Sequence, residues 1–224
     1  MNAQFGPTIE FANGRHVPLG TIYCIGRNYA DHAREMNAAP PQEPIVFLKP
    51  PTAYISNGAA IRPPEAGHVL HHEVEVVVLI GEHLYRANLD EARAAIAAYA
   101  VGIDVTLRDL QSRAKHHGLP WAIAKGFATS APISPFVPAD SIASIDEVEF
   151  GLSVNSVIRQ RGCPRSMIWS IPELLEYLSR WFVLQPGDVL FTGTPSGVGQ
   201  LSENDVVHAW LGDYAQLDVV VAPA

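Results

Sequence analysis

The stretch VLHHEVEVVVLIG, residues 69–81, constrains this chain more than any other. From Val74 to Ile80 every residue except Glu75 is apolar, so the run reads as a strand buried on both faces. Side chains alternate along a strand, which puts Val74, Val76, Val78 and Ile80 on one face and Val77 and Leu79 on the other. Glu73 and Glu75 share the second face, roughly 6.6 Å apart along the chain. Two like charges beside a buried run are costly. Either the strand lies at an edge with one wet face, or a cation sits between the carboxylates. The apolar continuation on both faces favours an interior strand and therefore the cation. Hard divalent ions take carboxylate oxygens and call for a further acidic ligand. Asp104, the lone acid in AVGIDVT (100–106), is the candidate, because Asp is depleted in strands and needs a reason to be there. His71 lies on the same face, either as a fourth ligand or as a hydrogen-bond partner behind the ligands.

The rest of the chain must supply a core around that strand. With 224 residues, 48% hydrophobic and 17% charged, it is long enough for one large domain. We expect that domain to span 21–224, with residues 1–20 as a short N-terminal appendage built on a strand at Thr8–Phe11 and a turn at Asn13-Gly14. No apolar run reaches the roughly 18 residues of a membrane span, and MNAQFGPTIEF lacks the pattern of a signal peptide. Two cysteines, Cys24 and Cys163, are too few for a disulfide framework, so a reducing cytoplasm is expected. The net charge of −8 argues against nucleic acid or an anionic membrane as partner, but leaves room for a small anionic substrate at a locally basic site.

Pro (18) and Gly (17) are spread along the chain, as short strands joined by tight turns require. TIYCIG (21–26), IVFLK (45–49), AVGIDVT (100–106) and DVLFTG (188–193) read as strands. VEFGLSVNSVIRQRG (148–162) reads as a long strand or a hairpin, and 205–221 as a hairpin turning near Gly212-Asp213. Helices are expected at 28–37, at Leu89–Tyr99 behind an Asn88/Glu91 capping box, at LRDLQSRAKHH, and from Ser170 to about Val183. The sum is a strand-rich α+β fold.

Other residues carry chemistry in combination. His32 and Glu35 are three apart on the first helix, either an ordinary surface pair or a carboxylate-held base. Arg108 and Gln111 have the same spacing and either face solvent or grip a carboxylate. There are only three lysines: Lys49, Lys115 and Lys125. Lys49 and Lys125 sit in apolar surroundings, either snorkelling or holding an anion. TGTPSGVG lacks the Gly-Lys-Ser/Thr of a phosphate loop, but it offers backbone N–H groups and Thr hydroxyls to a carboxylate.

In their order, GRNYADHAREM, FLKP, HHEVEVVVLIG, GIDVTLRDLQ, GLPWAIAKGF, SIPELLEYLS and GDVLFTGTPSGVG resemble the fumarylacetoacetate hydrolase family over roughly residues 20–220. The short length resembles the single-domain acylpyruvase or fumarylpyruvate hydrolase type. The resemblance implies a mixed β-roll or distorted barrel, a homodimer, and Mg²⁺ or Mn²⁺ in the site, with Ca²⁺ as a further option. It assigns Glu73, Glu75 and Asp104 to the metal, His32 and Glu35 to water activation on a lid segment, and Lys125 to catalysis. Arg108, Gln111 and Thr194 match substrate contacts, and Lys49 and Arg27 are grouped with them. Longer relatives carry an additional metal carboxylate upstream of the histidine, where this chain has Ile25-Gly26-Arg27 and no acid. The implied activity is C–C hydrolysis of a small 1,3-diketo acid, an acylpyruvate or fumarylpyruvate, to pyruvate and a carboxylic acid. The alternatives are decarboxylation of an oxaloacetate-type 2-oxo acid, an isomerase or decarboxylase of aromatic degradation, or a binding protein without chemistry.

Overall fold

The computed structural model describes residues 6–31 and 41–223. His32 and Glu35, and most of the helix expected at 28–37, lie outside the described residues; Ala30 and Asp31 have helical backbone.

The glutamate-bearing run is an interior strand. β1 (Thr8–Glu10) and β2 (His16–Pro18) form a small hairpin, and β3 (Ile22–Gly26) and β4 (Ile45–Lys49) follow. Short β5 (Tyr54–Ile55), β6 (Ala60–Ile61) and β7 (Leu70–His72) lead into β8 (Val74–Ile80), whose seven residues are all buried. Helix α1 (Leu89–Ala94), strand β9 (Ile96–Ile103), strand β10 (Thr106–Leu107), helix α2 (Arg108–His117) and helix α3 (Ala122–Lys125) come next. After them run β11 (Ala131–Pro132), β12 (Val137–Pro138), β13 (Phe150–Val154), β14 (Val157–Gly162) and helix α4 (Ile171–Trp181). β15 (Val189–Phe191), β16 (Gly199–Gln200), β17 (Val206–Leu211) and β18 (Ala215–Val221) complete the described chain.

A six-stranded sheet in the order β12-β9-β8-β15-β3-β4 places β8 near its middle, and a five-stranded sheet runs β14-β13-β17-β18-β6. Both are mixed: β15 pairs parallel with β3, and β18 with β6. Two cores fill the two faces of β8. Val74, Val76, Val78 and Ile80 pack with the five-stranded sheet and α4, while Val77 and Leu79 pack with Ile9, Phe11, Phe136 and Phe191. The face assignment read from alternation is the observed one. The sheets roll against each other and stay open, so the fold is the strand-rich α+β roll and not a closed barrel.

Two expectations need correcting. The alanine-rich helix stops at Ala94, and Ile96–Tyr99 begin β9. Pairing of β9 with β8 from Ile96 to Ile103 outweighs the helix preference of its alanines, because tertiary pairing overrides intrinsic propensity. Asp104 also lies just beyond the strand, which ends at Ile103, and this removes the conflict with its low strand preference. Both expected capping boxes are present, at Asn88/Glu91 and Ser170/Glu173. Residues 148–162 form a hairpin whose turn, Asn155-Ser156, has φ of 50° and 65°, the left-handed pair that matches strand twist.

Candidate metal and anion site

The three acids singled out in the sequence meet. Glu73 leaves the short gap between β7 and β8, Glu75 is the second residue of β8, and Asp104 follows β9, the neighbour of β8. The Asp104 N–H donates to the Glu73 carbonyl at 2.8 Å and fixes this junction. One carboxylate oxygen from each of the three lies within 4.8 Å of the others, and all three residues are buried.

Cations surround them. Lys125, at the end of α3, donates to Glu73 Oε2 at 2.8 Å and to Asp104 Oδ2. Burial alone would lower the Lys125 pKa, but the Asp104 and Glu73 carboxylates outweigh it and hold it above its ordinary value. It is therefore an ammonium, and it has one proton beyond the two donated here. Arg108, the first residue of α2, donates to Glu73 and to the Gln111 carbonyl oxygen. Lys49 Nζ lies 2.8 Å from Asp104 Oδ1 and donates to the backbone oxygens of Val105 and Lys125. Lys49 is buried and does not line the cleft, so it braces Asp104 and the α3 backbone from behind.

Glu75 is the least compensated acid. Its described hydrogen bond comes from the Gly193 N–H at 2.7 Å. Burial, then the charges of Asp104 and Glu73, push its pKa well above the ordinary carboxylate value. Asp104 Oδ1 is buried and accepts no aligned hydrogen bond, although Lys49 is near. Three converging carboxylates, one strongly destabilised as an anion and one with an oxygen left over, fit a hard divalent cation.

TGTPSGVG clasps the strand edge. Its N–H does reach a carboxylate, as expected, but that carboxylate belongs to Glu75. The Thr192 and Thr194 hydroxyls donate to the backbone oxygens of Val76 and Val74, each at 2.8 Å. Thr194 Oγ1 also accepts from Gln160 Nε2 at 2.9 Å, and Gln160 in turn binds His72 and the Val74 N–H. Thr194 lines the cleft, yet its one hydroxyl proton is already used. Gly193 has φ of 100°, and a Cβ there would lie 2.7 Å from the Asn28 Cβ. Gly193→Ala is expected to cost about 1–3 kcal/mol and to displace the donor on Glu75. Thermal denaturation together with metal titration measures both effects.

Glu73 and Glu75 floor a small cleft lined also by Gly26, Arg27, Phe47, Arg108, Gln111, Lys115, Trp121, Lys125 and Thr194, among others. Lys115, Phe47 and Trp121 went unassigned in the sequence reading, although Lys115 repeats the α2 stripe of Arg108 and Gln111. His71 does not line the cleft. Its Nδ1 has no hydrogen-bond partner, and burial followed by the Arg108 charge lowers its pKa to about 4. It is therefore neutral at pH 7.

Fold and site together define a class: a strand-rich roll with a buried three-carboxylate cluster beneath a cationic cleft. The chain belongs to the fumarylacetoacetate hydrolase family, whose "Fumarylacetoacetate (FAA) hydrolase C-terminal" region matches residues 21–222. It is 45% identical over 188 residues to the mitochondrial oxaloacetate tautomerase FAHD1 of Bos taurus, covering 84% of this chain and 85% of that one. The fumarylpyruvate hydrolase of Pseudomonas aeruginosa, solved with Mn²⁺ and pyruvate, superposes with a TM-score of 0.93 at 37% identity, over 98% of this chain and 97% of that one. A 5-carboxymethyl-2-hydroxymuconate delta-isomerase from Mycobacterium smegmatis superposes with a TM-score of 0.82 at 32% identity, over 94% of this chain and 86% of that one. The similar proteins thus include hydrolases and isomerases. Among the described residues no helix is long and apolar enough to cross a membrane.

Proposed function

We propose that this protein is a divalent-metal-dependent hydrolase that cleaves the C–C bond of an acylpyruvate-type 1,3-diketo acid, with residues 21–224 as the catalytic domain. The observation that carries this reading is the cluster of Glu73, Glu75 and Asp104 beneath the cations Arg108 and Lys125. The three carboxylates would hold Mg²⁺ or Mn²⁺, and a bound ion supplies a Lewis acid for the 2-oxo acid end of the substrate.

The remaining work falls to the chain's own groups. Arg108 and Gln111 orient the substrate carboxylate. His32, oriented by Glu35, takes a proton from water, and the hydroxide adds to the distal carbonyl carbon. The remaining N–H of the Lys125 ammonium donates a hydrogen bond to the oxygen that gains charge and keeps its proton. The bond between that carbon and the methylene then breaks, and its electron pair stays on the methylene carbon. The proton held by His32 goes to that carbon, completing the methyl group of pyruvate; the other product is the carboxylic acid. A homodimer and a cytoplasmic location belong to this reading, the latter resting on Cys24 and Cys163 both being free.

The identity to an oxaloacetate tautomerase favours a second reading, keto–enol interconversion or decarboxylation of oxaloacetate. That chemistry needs the same 2-oxo acid seat but no water attack. Purified, Mg²⁺-loaded protein should be assayed in parallel on acetylpyruvate, fumarylpyruvate and oxaloacetate, following pyruvate, released acid, CO₂ and the enol absorbance. Pyruvate with a matching acid and no CO₂ is expected. Changes confined to oxaloacetate would overturn the hydrolase reading in favour of the second. His32→Ala is expected to lose at least about 100-fold in hydrolysis while binding metal normally, in line with the contribution of a general base. Hydrolysis at the normal rate would remove the dyad from the mechanism.

A further inference from the structure

Behind the acids lies a buried amide that the proposed reaction does not use. Most of β14 is exposed, but Gln160 within it is only 1% exposed. A β-bulge puts it there. Ile158 pairs with Ser153 and Gln160 with Leu152, so Arg159 is the extra residue on this strand. Without the bulge, alternation would carry Arg159 inward opposite Leu152 and turn Gln160 to solvent. The loop TGTPSGVG lies directly against the bulge: a Cβ on Gly197, whose φ is 93°, would collide with the Arg159 carbonyl oxygen.

The four hydrogen bonds of Gln160 each have a fixed direction. Its Oε1 accepts from the Val74 N–H at 3.0 Å, and its Nε2 donates to the Pro195 carbonyl oxygen at 2.9 Å. A backbone N–H only donates and a backbone C=O only accepts, so these two bonds fix which end of the amide is which. His72 must then donate from Nδ1 to Oε1 at 2.8 Å, and Thr194 Oγ1 must accept from Nε2. The Thr194 hydroxyl proton goes on to the Val74 oxygen, so Val74, Gln160 and Thr194 close a ring of hydrogen bonds. β15 pairs with β8 only at Val77–Leu79. Past Val77 the threonines of the loop and the Gln160 amide take the place of a neighbouring strand.

This ring is fastened to the residue between two of the proposed metal ligands. Val74 separates Glu73 from Glu75, and the loop that carries Thr194 and Pro195 also carries Gly193, whose N–H binds Glu75. We infer that Gln160 is a positioning residue for the metal site, holding Glu73 and Glu75 at a fixed spacing that favours a small octahedral ion such as Mg²⁺ over Ca²⁺. This rests on the proposed reading of the three acids as metal ligands. Mg²⁺ demands near-ideal geometry, whereas Ca²⁺ accepts flexible ligand sets, so a rigid backing behind the ligands matters chiefly to the smaller ion.

Binding tests this without turnover. The metal-free wild type, Gln160→Met and Thr194→Val would each be titrated calorimetrically with Mg²⁺ and with Ca²⁺. Gln160→Met removes all four bonds and should weaken Mg²⁺ binding about 10–100-fold, as changes behind metal ligands do. Ca²⁺ should lose less, so the ratio of Mg²⁺ to Ca²⁺ affinity is expected to fall by about tenfold. Thr194→Val opens the same ring from the loop side with fewer bonds lost, and should lower the ratio in the same direction; it decides the matter if Gln160→Met does not fold. Thermal denaturation of the metal-free variants records the loss of stability separately. A lower Tm with an unchanged Mg²⁺ to Ca²⁺ ratio would make Gln160 a residue of the fold alone and overturn the inference, leaving the metal reading intact. A wild type that binds neither ion would remove the metal reading, and the positioning role with it.

Discussion

Glu75→Gln is expected to abolish the stabilisation that divalent ions give this protein while making the metal-free form more stable at pH 8. Glu75 is only 1% exposed, and burial with the charges of Asp104 and Glu73 raises its pKa well above 4.5. In the metal-free protein the folded state therefore binds more protons than the unfolded one over a window that opens near pH 4.5 and extends upward. Stability is highest below that window and falls as pH rises through it. Gln removes the titration and keeps a group able to accept from the Gly193 N–H, so the penalty disappears. A metal ion competes with the same proton, so the wild-type Tm should rise more with Mn²⁺ at pH 8 than at pH 5.5. The variant loses one of three acidic ligands, and its metal affinity should fall by more than the roughly 10–100-fold typical of changes behind the ligands. Turnover should be lost with it. Thermal denaturation with and without Mn²⁺ at the two pH values decides the matter, and a variant that keeps the wild-type metal response would remove Glu75 from the ligand set.

Lys125→Met should have the larger effect on the metal-free protein. The ammonium is 2% exposed and bridges Glu73 and Asp104, so its loss leaves two buried carboxylates short of a cation. Removing one partner of a buried charge cluster costs about 3–5 kcal/mol, whereas Met nearly conserves the volume. For a chain of this size that corresponds to a Tm lower by about 6–20 °C. Saturating Mg²⁺ or Mn²⁺ should recover part of the loss, because the ion supplies positive charge to the same oxygens. Hydrolysis should stay abolished with metal present, since the donor to the developing charge is gone. An unchanged Tm in the metal-free variant would show that Arg108 and Lys49 suffice to neutralise the cluster.

The central strand and its acids were legible in the sequence because alternation and burial are local patterns. The run from Val74 to Ile80 could be divided into two faces, and the misfit of Glu73, Glu75 and Asp104 with their neighbours pointed to a common cause. Capping boxes and hairpin turns were legible for the same reason. The extent of β9 was not. Its Ala-rich start favours a helix locally, and only the edge of β8 beside it decides otherwise. Nor could the sequence distribute the roles of the cations. Lys49 and Lys125 look alike in IVFLKPP and PWAIAKGF, yet one braces Asp104 from behind and the other faces the cleft. Lys115 lies in an unremarkable helix end, and Trp121 and Arg27 become its neighbours only when the chain folds. The sequence by itself determined that buried acids exist and must be neutralised, since burial of like charges is costly wherever they sit. Tertiary structure alone decided which cations do the neutralising, because charge pairing depends on distances between residues far apart in the chain.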